Sequence, residues 1–500
     1  MQRPNFVLIM TDSQGANVIG AYGRPELQTP AIDRLAATGA TFDRAYTTCP
    51  LCTPARASLF TGRYPHGTGA WTNGLPLGMS TVTMGRRFQD HGYQTAYTGK
   101  WHLDGHDYFG TGRCPDGWDD AYWYDGRRHL ETLTMEERVL WRNGLGTQEA
   151  LQTHNIQPEF TWGHRVSDHA IRFLQNAGER PFLLVVSYDE PHGPATCPPE
   201  YPERFRDYRY PLGPAAFDDL RTKPIYQQEW AAAHKRGEQL PYIVHPRYFG
   251  CSSFVDAEIG RVLDAIDRHA PENTYVIFTS DHGEMLGSHG LYGKNAAMYE
   301  EITRIPLIIR RPPGARAGIR VGDTVSHIDL LPTMLELAEL DIPPAFEGQS
   351  VAAMLDGAGA GAARSVFMEF HRFDAQSDTG GGFAPVRSIV KGPYKLSINL
   401  LDIDELYDLD DDPAELHNRI TEPAYAVRRD TLHDELLDWM YQKRDPFRGS
   451  IWERRPWRSN RKLTWSGGWT GYLPWIDSYM PPDGYEPTRI DYWTGVPMDA

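Results

Sequence analysis

The chain has no long apolar run, few cysteines and little positive charge, and each shortage removes a class of protein. No apolar stretch approaches the ~18 residues that cross a membrane. The longest, such as Phe6–Met10 and Phe182–Ser187, are strand-sized. The run Asn5-Phe-Val-Leu-Ile near the start is too short for the core of a signal peptide and has no small-residue cleavage site behind it. A cytoplasmic location is therefore expected, or a periplasmic or secreted one if a leader has been removed. Five cysteines (49, 52, 114, 197 and 251) in 500 residues make no disulfide framework, and the odd number leaves at least one unpaired. Lys plus Arg number 50 against 66 Asp plus Glu, a formal charge of −16. That speaks against nucleic acid or an anionic membrane as partner, since both need a basic face. At first sight it also speaks against an anionic ligand.

What is present is ordinary globular composition, 40% hydrophobic and 23% charged, in a chain long enough to bury a large core. Phe6-Val-Leu-Ile-Met reads as a buried strand and Thr29–Gly39 as a helix, with Thr before Pro at its start and Gly at its end. Similar alternation recurs at Met84–Gly92, at Ser167–Ala177 with Pro181–Ser187, and at Phe254–Arg268 with Tyr275–Ser280. Pro306–Arg310 and a helix from Asp329 to Leu340 follow. Apolar strands alternating with amphipathic helices predict an α/β fold with a mostly parallel sheet between helices, whose ligands bind beyond the carboxyl ends of the strands. Two aromatic, proline-containing excursions, 104–165 and 195–250, are expected to shape a pocket rim. After a Gly/Ala linker at Asp356–Ala363, Arg387–Ser397 and Glu405–Asp410 read as hairpin-like strands and Ala424–Lys443 as a helix. The segments expected are 1–375 (catalytic α/β), 376–445 (antiparallel sheet and helix) and 446–500, an extension in which Trp452, Trp457, Trp465, Trp469 and Trp475 are prominent.

Three strand ends carry chemistry together: Asp12 follows the first strand, His192 follows Phe182–Ser187, and Asp281-His282 follows Tyr275–Ser280. Carboxylates and imidazoles gathered at neighbouring carboxyl ends suit a metal or catalytic site, although each alone is commonly a cap or turn residue. The sharpest local signal is Cys52-Thr53-Pro54-Ala55-Arg56. Thr-Pro opens a helix and puts Cys52 at its N-terminus, where free N–H groups attract an anion. Arg56 lies one turn on, along the same face. Cys49-Pro-Leu-Cys52 also has the spacing of a redox or zinc half-site, but no second pair completes it.

Cys52-Thr-Pro-Ala-Arg56 followed by Thr61-Gly62-Arg63 resembles the signature C-x-P-x-R-x4-T-G of the formylglycine-dependent (type I) sulfatases, of the alkaline phosphatase-like superfamily. Further stretches resemble the family in order: Phe6–Asp12, Gly99-Lys100-Trp101-His102, Asp189-Glu-Pro-His192, Thr279-Ser-Asp281-His282, Gly293-Lys294 and Glu405–Glu415. The resemblance implies an alkaline phosphatase-like fold with a smaller C-terminal antiparallel subdomain, and hydrolysis of an aryl, alkyl or sugar sulfate. It implies that Cys52 is oxidised by a formylglycine-generating enzyme, its hydrate attacking sulfur to form a sulfo-enzyme. Lys100 would hold the nucleophile and a sulfate oxygen, and His102 would be the base. Arg56 would stabilise residue 52 and the anion, and His192 and Lys294 would bind sulfate and protonate the leaving oxygen. Asn73 matches a polar residue near the nucleophile and is equally a turn asparagine before Gly74.

The resemblance further implies one divalent cation on Asp12, Asp281, His282 and an oxygen of modified Cys52. The chain has Asp12-Ser13-Gln14 where many members carry adjacent aspartates, and Asp-His where Asp-Asn is more frequent. One carboxylate fewer and one imidazole more admit Mn²⁺ beside Ca²⁺, and Gln14 is a candidate to fill the gap. Phosphonate monoester hydrolases share that Asp/His set and are the alternative, cleaving phosphonates or phosphodiesters; the Lys100–His102 pair favours sulfate. A non-catalytic sugar-binding relative should have lost one of these residues, and none is missing. The Trp-rich tail suggests a homo-oligomer, and the net charge favours a small sulfate ester over a long sulfated polymer.

Overall fold

Strands without polar alternation need cover on both faces, and these fold accordingly. The computed structural model describes residues 3–461 apart from 79, 143–146, 235–238, 358, 360–362, 377–381 and 460. Its main sheet contains β1 (Asn5–Asp12), β2 (Ala40–Tyr46), β3 (Gln94–Gly99), β4 (Trp123–Tyr124), β5 (Phe182–Pro191), β6 (Thr274–Ser280), β7 (Leu307–Arg310) and β8 (Ile319–Ser326). Their order is β8-β2-β7-β6-β1-β5-β3-β4, and a short strand at Arg304–Ile305 pairs with β2. β1 lies between β5 and β6, parallel to both, with Val7 opposite Leu184 on one side and Val276 on the other. β7 alone among these eight runs antiparallel to its neighbours β6 and β2. Between β6 and β7 the described chain holds only short helical turns, so it lacks the crossover helix that a parallel return needs.

The side-chain period of two divides the core. Phe6, Leu8 and Met10 point to the face covered by Leu59 and Phe60 of α2 (Cys52–Thr61) and by Leu331 and Met334 of α5 (Leu330–Leu337). Val7 and Ile9 point to the other face. There they meet Ile32 of α1 (Pro30–Thr38), Val166 of α3 (Trp162–Asn176) and Val255 of α4 (Pro246–His269). α4 starts inside the stretch expected to be an excursion: Pro246 opens it, and the His245 ring accepts the Tyr248 N–H as its cap. All ten residues of α2 are buried.

A four-stranded antiparallel sheet follows, β9 (Ser365–Arg372), β10 (Phe383–Lys391), β11 (Tyr394–Asn399) and β12 (Glu405–Asp408) in that order, with α6 (Ala426–Gln442) after it. Its first strand lies before residue 376. By contacts the chain divides into Met1–Pro446, which holds every residue singled out above for chemistry, and Phe447–Ala500. Trp465, Trp469 and Trp475 lie outside the described residues, as does most of the 446–500 extension from which a homo-oligomer was expected. No described helix is long and apolar enough to cross a membrane.

The small sheet is joined to the α/β core by a buried ion pair. His66 Nδ1 lies 2.6 Å from Glu369 Oε2, and the His66 N–H donates to the same carboxylate at 2.5 Å. Burial opposes charge on His66, yet Glu369 outweighs it and raises the imidazole pKa to about 9. A raised histidine contributes stability below its unfolded pKa of about 6.5 and loses it as pH climbs through about 9. His66→Gln should thus be less stable than the parent at pH 6 by on the order of 3 kcal/mol, with the gap shrinking by pH 10. Urea titrations of both proteins across that range test this; a constant gap would refute the assignment.

Candidate active site

β6, β1, β5 and β3 are consecutive and parallel, so their carboxyl ends open on one edge. Asp281 and His282 follow β6, Asp12 ends β1, Asp189 lies in β5 with His192 just beyond, and Lys100 and His102 follow β3. Gly99 is required where β3 meets β5: its φ is +111°, and a Cβ there would fall 1.8 Å from the Ser187 carbonyl oxygen. Two non-glycine residues, Ser13 (φ 62°) and His102 (φ 56°), take left-handed backbone as the chain leaves β1 and β3. Such strain persists only where the surroundings over-determine it, commonly at functional sites. Facing these strand ends, α2 begins at Cys52 after an extended Leu51, and Asn73 Oδ1 accepts the Thr53 N–H at 3.1 Å. Asn73 therefore lies beside residue 52, serving the first turn of α2.

Asp12 is the centre of the charges. Lys100 Nζ stands 2.7 Å from its Oδ2 and Arg56 Nη2 3.1 Å from the same atom. Arg56 Nε reaches Asp281 Oδ2 at 2.9 Å, while its Nη1 donates to the Lys100 carbonyl (2.8 Å) and to Ser187 Oγ (2.9 Å). Arg56 thus holds the two carboxylates and the strand ends. Burial alone would raise Asp12, but Lys100 and Lys294 hold it well below the usual carboxylate range. Lys294 Nζ lies 2.9 Å from Cys52 Sγ and 2.9 Å from His282 Nε2. Burial and Asp12 push the Cys52 thiol up; Lys294, Lys100 and His282 outweigh them and hold it well below its ordinary value. Burial raises the Cys49 thiol, so the two cysteines of the C-x-x-C are opposite in character, and all five cysteines are free. His102 is pulled down by burial, and its Nδ1 has no hydrogen-bond partner.

Asp12, Cys52, Asp281 and His282 are buried and present ligand atoms within 4.8 Å of one another. The donor set fits a divalent cation. Burial and the neighbouring Asp12 carboxylate raise Asp281, the mark of crowded negative charge that a cation relieves. Both amide atoms of buried Gln14 lack a hydrogen-bond partner, a deficit that an ion or water would meet.

Tyr108 and Asp189 complete the site and were not among the residues expected. Tyr108 Oη accepts from Lys100 Nζ at 2.5 Å, donates to Asp189 Oδ1 and lies 2.9 Å from His192 Nδ1. Its ring centroid is 4.0 Å from the Lys100 ammonium. Asp189 Oδ1 lies 2.9 Å from the same ammonium. Asp189 was legible, being in the run with His192; Tyr108 comes from the first excursion, which carries no motif.

Residues 4–340 match the family model described as "Sulfatase", and 287–442 match that of the N-sulphoglucosamine sulphohydrolase C-terminal region. The chain belongs to the sulfatase family. It is 50% identical, over 100% of its length and 98% of the relative's, to the uncharacterized sulfatase YidJ of Escherichia coli (strain K12). The structure of BT4656 in complex with its substrate D-glucosamine-2-N,6-O-disulfate shares the fold with TM-score 0.71 and 24% identity, over 89% of this chain and 99% of that one. The phosphonate monoester hydrolase of Agrobacterium radiobacter does so with TM-score 0.69 and 23% identity, over 88% and 96%. This sulfatase is accordingly a sulfuric ester hydrolase with an alkaline phosphatase-like fold.

Arg56→Met would leave Asp12 and Asp281 facing each other without their shared cation. Breaking a buried pair in this way costs about 3–5 kcal/mol. Thermal and urea unfolding should report that loss, and a variant of parental stability would show that Arg56 does not hold the carboxylates.

Proposed function

We propose that this sulfatase cleaves the sulfate monoester of a sugar, aryl or alkyl alcohol, using residue 52 after oxidation from cysteine to formylglycine by a formylglycine-generating enzyme. The observation that carries the reading is the convergence of Lys100, His102, His282 and Lys294 on one buried side chain at the start of a helix. As a hydrated aldehyde, residue 52 supplies two hydroxyls on one carbon, one to attack sulfur and one whose deprotonation expels sulfate. A divalent cation on Asp12, Asp281, His282 and residue 52, Ca²⁺ or Mn²⁺ by its ligands, would neutralise the transferring group and acidify the nucleophile.

The remaining work falls to side chains. Lys100, raised by Asp12 and Asp189 against the opposing effect of burial, stays charged and orients the nucleophile and a sulfate oxygen. His102 is kept neutral by burial and has a free ring nitrogen, which suits the base that takes the hydroxyl proton. His192, half-buried and steered through Nδ1 by Tyr108, and Lys294 are placed to donate the proton that the departing alkoxide needs. Overall the O–S bond breaks, the alcohol oxygen gains a proton, and water supplies the oxygen that leaves with sulfate.

The Asp/His metal set and the fold shared with a phosphonate monoester hydrolase favour phosphonate monoesters as secondary substrates. Cys52→Ala should fold normally and lose turnover of a chromogenic aryl sulfate by at least a thousandfold; retained turnover would overturn the nucleophile assignment. Mass spectrometry of the Cys52 peptide from the native host should show the aldehyde and its hydrate, and an unmodified thiol would sink the mechanism. Comparison of kcat/KM across aryl sulfates, sugar sulfates and phosphonate monoesters should rank the sulfates first.

A further inference from the structure

A phenol has one hydrogen to give and two lone pairs with which to receive. Tyr108 uses all three. Its hydrogen goes to Asp189 Oδ1, and its oxygen lies 2.5 Å from Lys100 Nζ and 2.9 Å from His192 Nδ1. The phenol keeps that hydrogen, because burial and the Asp189 carboxylate push its pKa well above the ordinary value. Towards Lys100 and His192 the oxygen can therefore only accept. The Lys100 ammonium donates in any case, so His192 must present an N–H at Nδ1. A second contact requires the same: His192 Nδ1 lies 2.8 Å from the Gly193 carbonyl oxygen, which has no hydrogen to offer. Two neighbours thus fix which nitrogen of the neutral His192 ring bears the hydrogen.

Tyr108 is held in place by its own loop. Asp107 pairs with Arg127 of the short helix Gly126–Thr132 and accepts the Phe109 N–H at 3.1 Å. Asp125, at the head of that helix, accepts the Gly112 N–H at 2.8 Å. Phe109 packs against Trp162 at the start of α3, with ring centroids 5.9 Å apart. On the other side, the backbone N–H of His192 donates to the Asp189 carbonyl at 3.0 Å. The turn carrying His192 is thereby closed on the residue that receives the Tyr108 hydrogen. His192 and Lys294 line a cavity of about 600 Å³, together with Ser13 and Trp230. With Nδ1 spent on Tyr108 and Gly193, the nitrogen that His192 has for this cavity is Nε2. Lys294 is engaged elsewhere: its Nζ lies 2.9 Å from both Cys52 Sγ and His282 Nε2, on the side of the nucleophile and the metal ligands.

We propose that Tyr108 is the positioning residue of the acid step: fixed by Asp189, its hydroxyl holds His192 through Nδ1 so that Nε2 faces the leaving oxygen, which takes its proton from His192 and not from Lys294. The inference rests on the sulfate-ester reading and deepens it. As the S–O bond breaks, its electron pair stays on the leaving oxygen and binds the proton from Nε2. The Nε2–H bond breaks, and the imidazolium becomes the neutral ring with its hydrogen on Nδ1. Both Nδ1 contacts persist through the transfer, so the ring has no cause to turn.

The test measures kcat/KM of mature parent, Tyr108→Phe, His192→Ala and the double variant on phenyl sulfates running from para-nitrophenyl to para-methoxyphenyl. Loss of proton donation is felt more as the leaving oxygen becomes more basic, whereas a role confined to holding Lys100 would slow all the esters alike. Tyr108→Phe should lose about tenfold more on the para-methoxyphenyl than on the para-nitrophenyl ester. In the His192→Ala background the same change should move that ratio by less than about twofold. Equal losses across the series, or a ratio that shifts as far without His192 as with it, would overturn the proposal. If the parent turns over none of these esters, the reaction reading falls, and nitrogen NMR of Cys52→Ala with labelled histidine still decides Tyr108. Neutral His192 should carry its hydrogen on Nδ1 there, and Cys52→Ala/Tyr108→Phe should show a new population with the hydrogen on Nε2. An Nε2–H ring in the first protein, or identical His192 signals in both, would refute the positioning role.

Discussion

Asp12 is the residue on which the site depends. Its carboxylate, fully buried at the end of the central strand, is met by Lys100 and Arg56 at 2.7 and 3.1 Å and has Cys52, His282 and Lys294 within 3.8 Å. A buried charge is tolerated only when paired and hydrogen-bonded, so each neighbour must be delivered to within a few tenths of an ångström. The parallel sheet makes that possible. Four adjacent parallel strands open on one edge, and residues within a few positions of each strand end converge there.

The same constraint explains the helix that faces the strands. α2 is packed on every side, and its first turn is capped from Asn73. Arg56, one turn along, uses its planar fork to join Asp281, Asp12, the Lys100 carbonyl and Ser187, binding all four strands into one unit. Lys100 is itself clasped by Asp12, Asp189 and Tyr108. The chemistry is rigid where bonds change. The excursions supply Tyr108 at one edge and Trp230, His245 and Arg247 along the cavity. Local field at this edge, and not the net charge of the chain, decides which ligand is drawn in.

Much of this was legible in the residues. Phe6–Met10 and Phe182–Ser187 are apolar without alternation and read as buried strands of a mostly parallel sheet, and Thr-Pro after Cys52 marked a helix start. Other features were not. β7 has four residues, and its direction depends on the absence of a crossover helix before it, which local pattern does not display. Spacing put Arg56 on the face of Cys52 but could not say that its guanidinium turns to carboxylates from β1 and β6, 44 residues before it and 225 after it. Tyr108 had no signal at all: it is one aromatic among many in a loop, and its role exists only because β3 and β5 bring Lys100 and Asp189 together around it.

Cys52 is 1% exposed, at the front of a helix with no exposed residue. An agent larger than a substrate cannot reach its side chain once the sheet, α2 and the Lys294 loop have closed around it. A protein that acted on this side chain would therefore have to meet it before the chain closes.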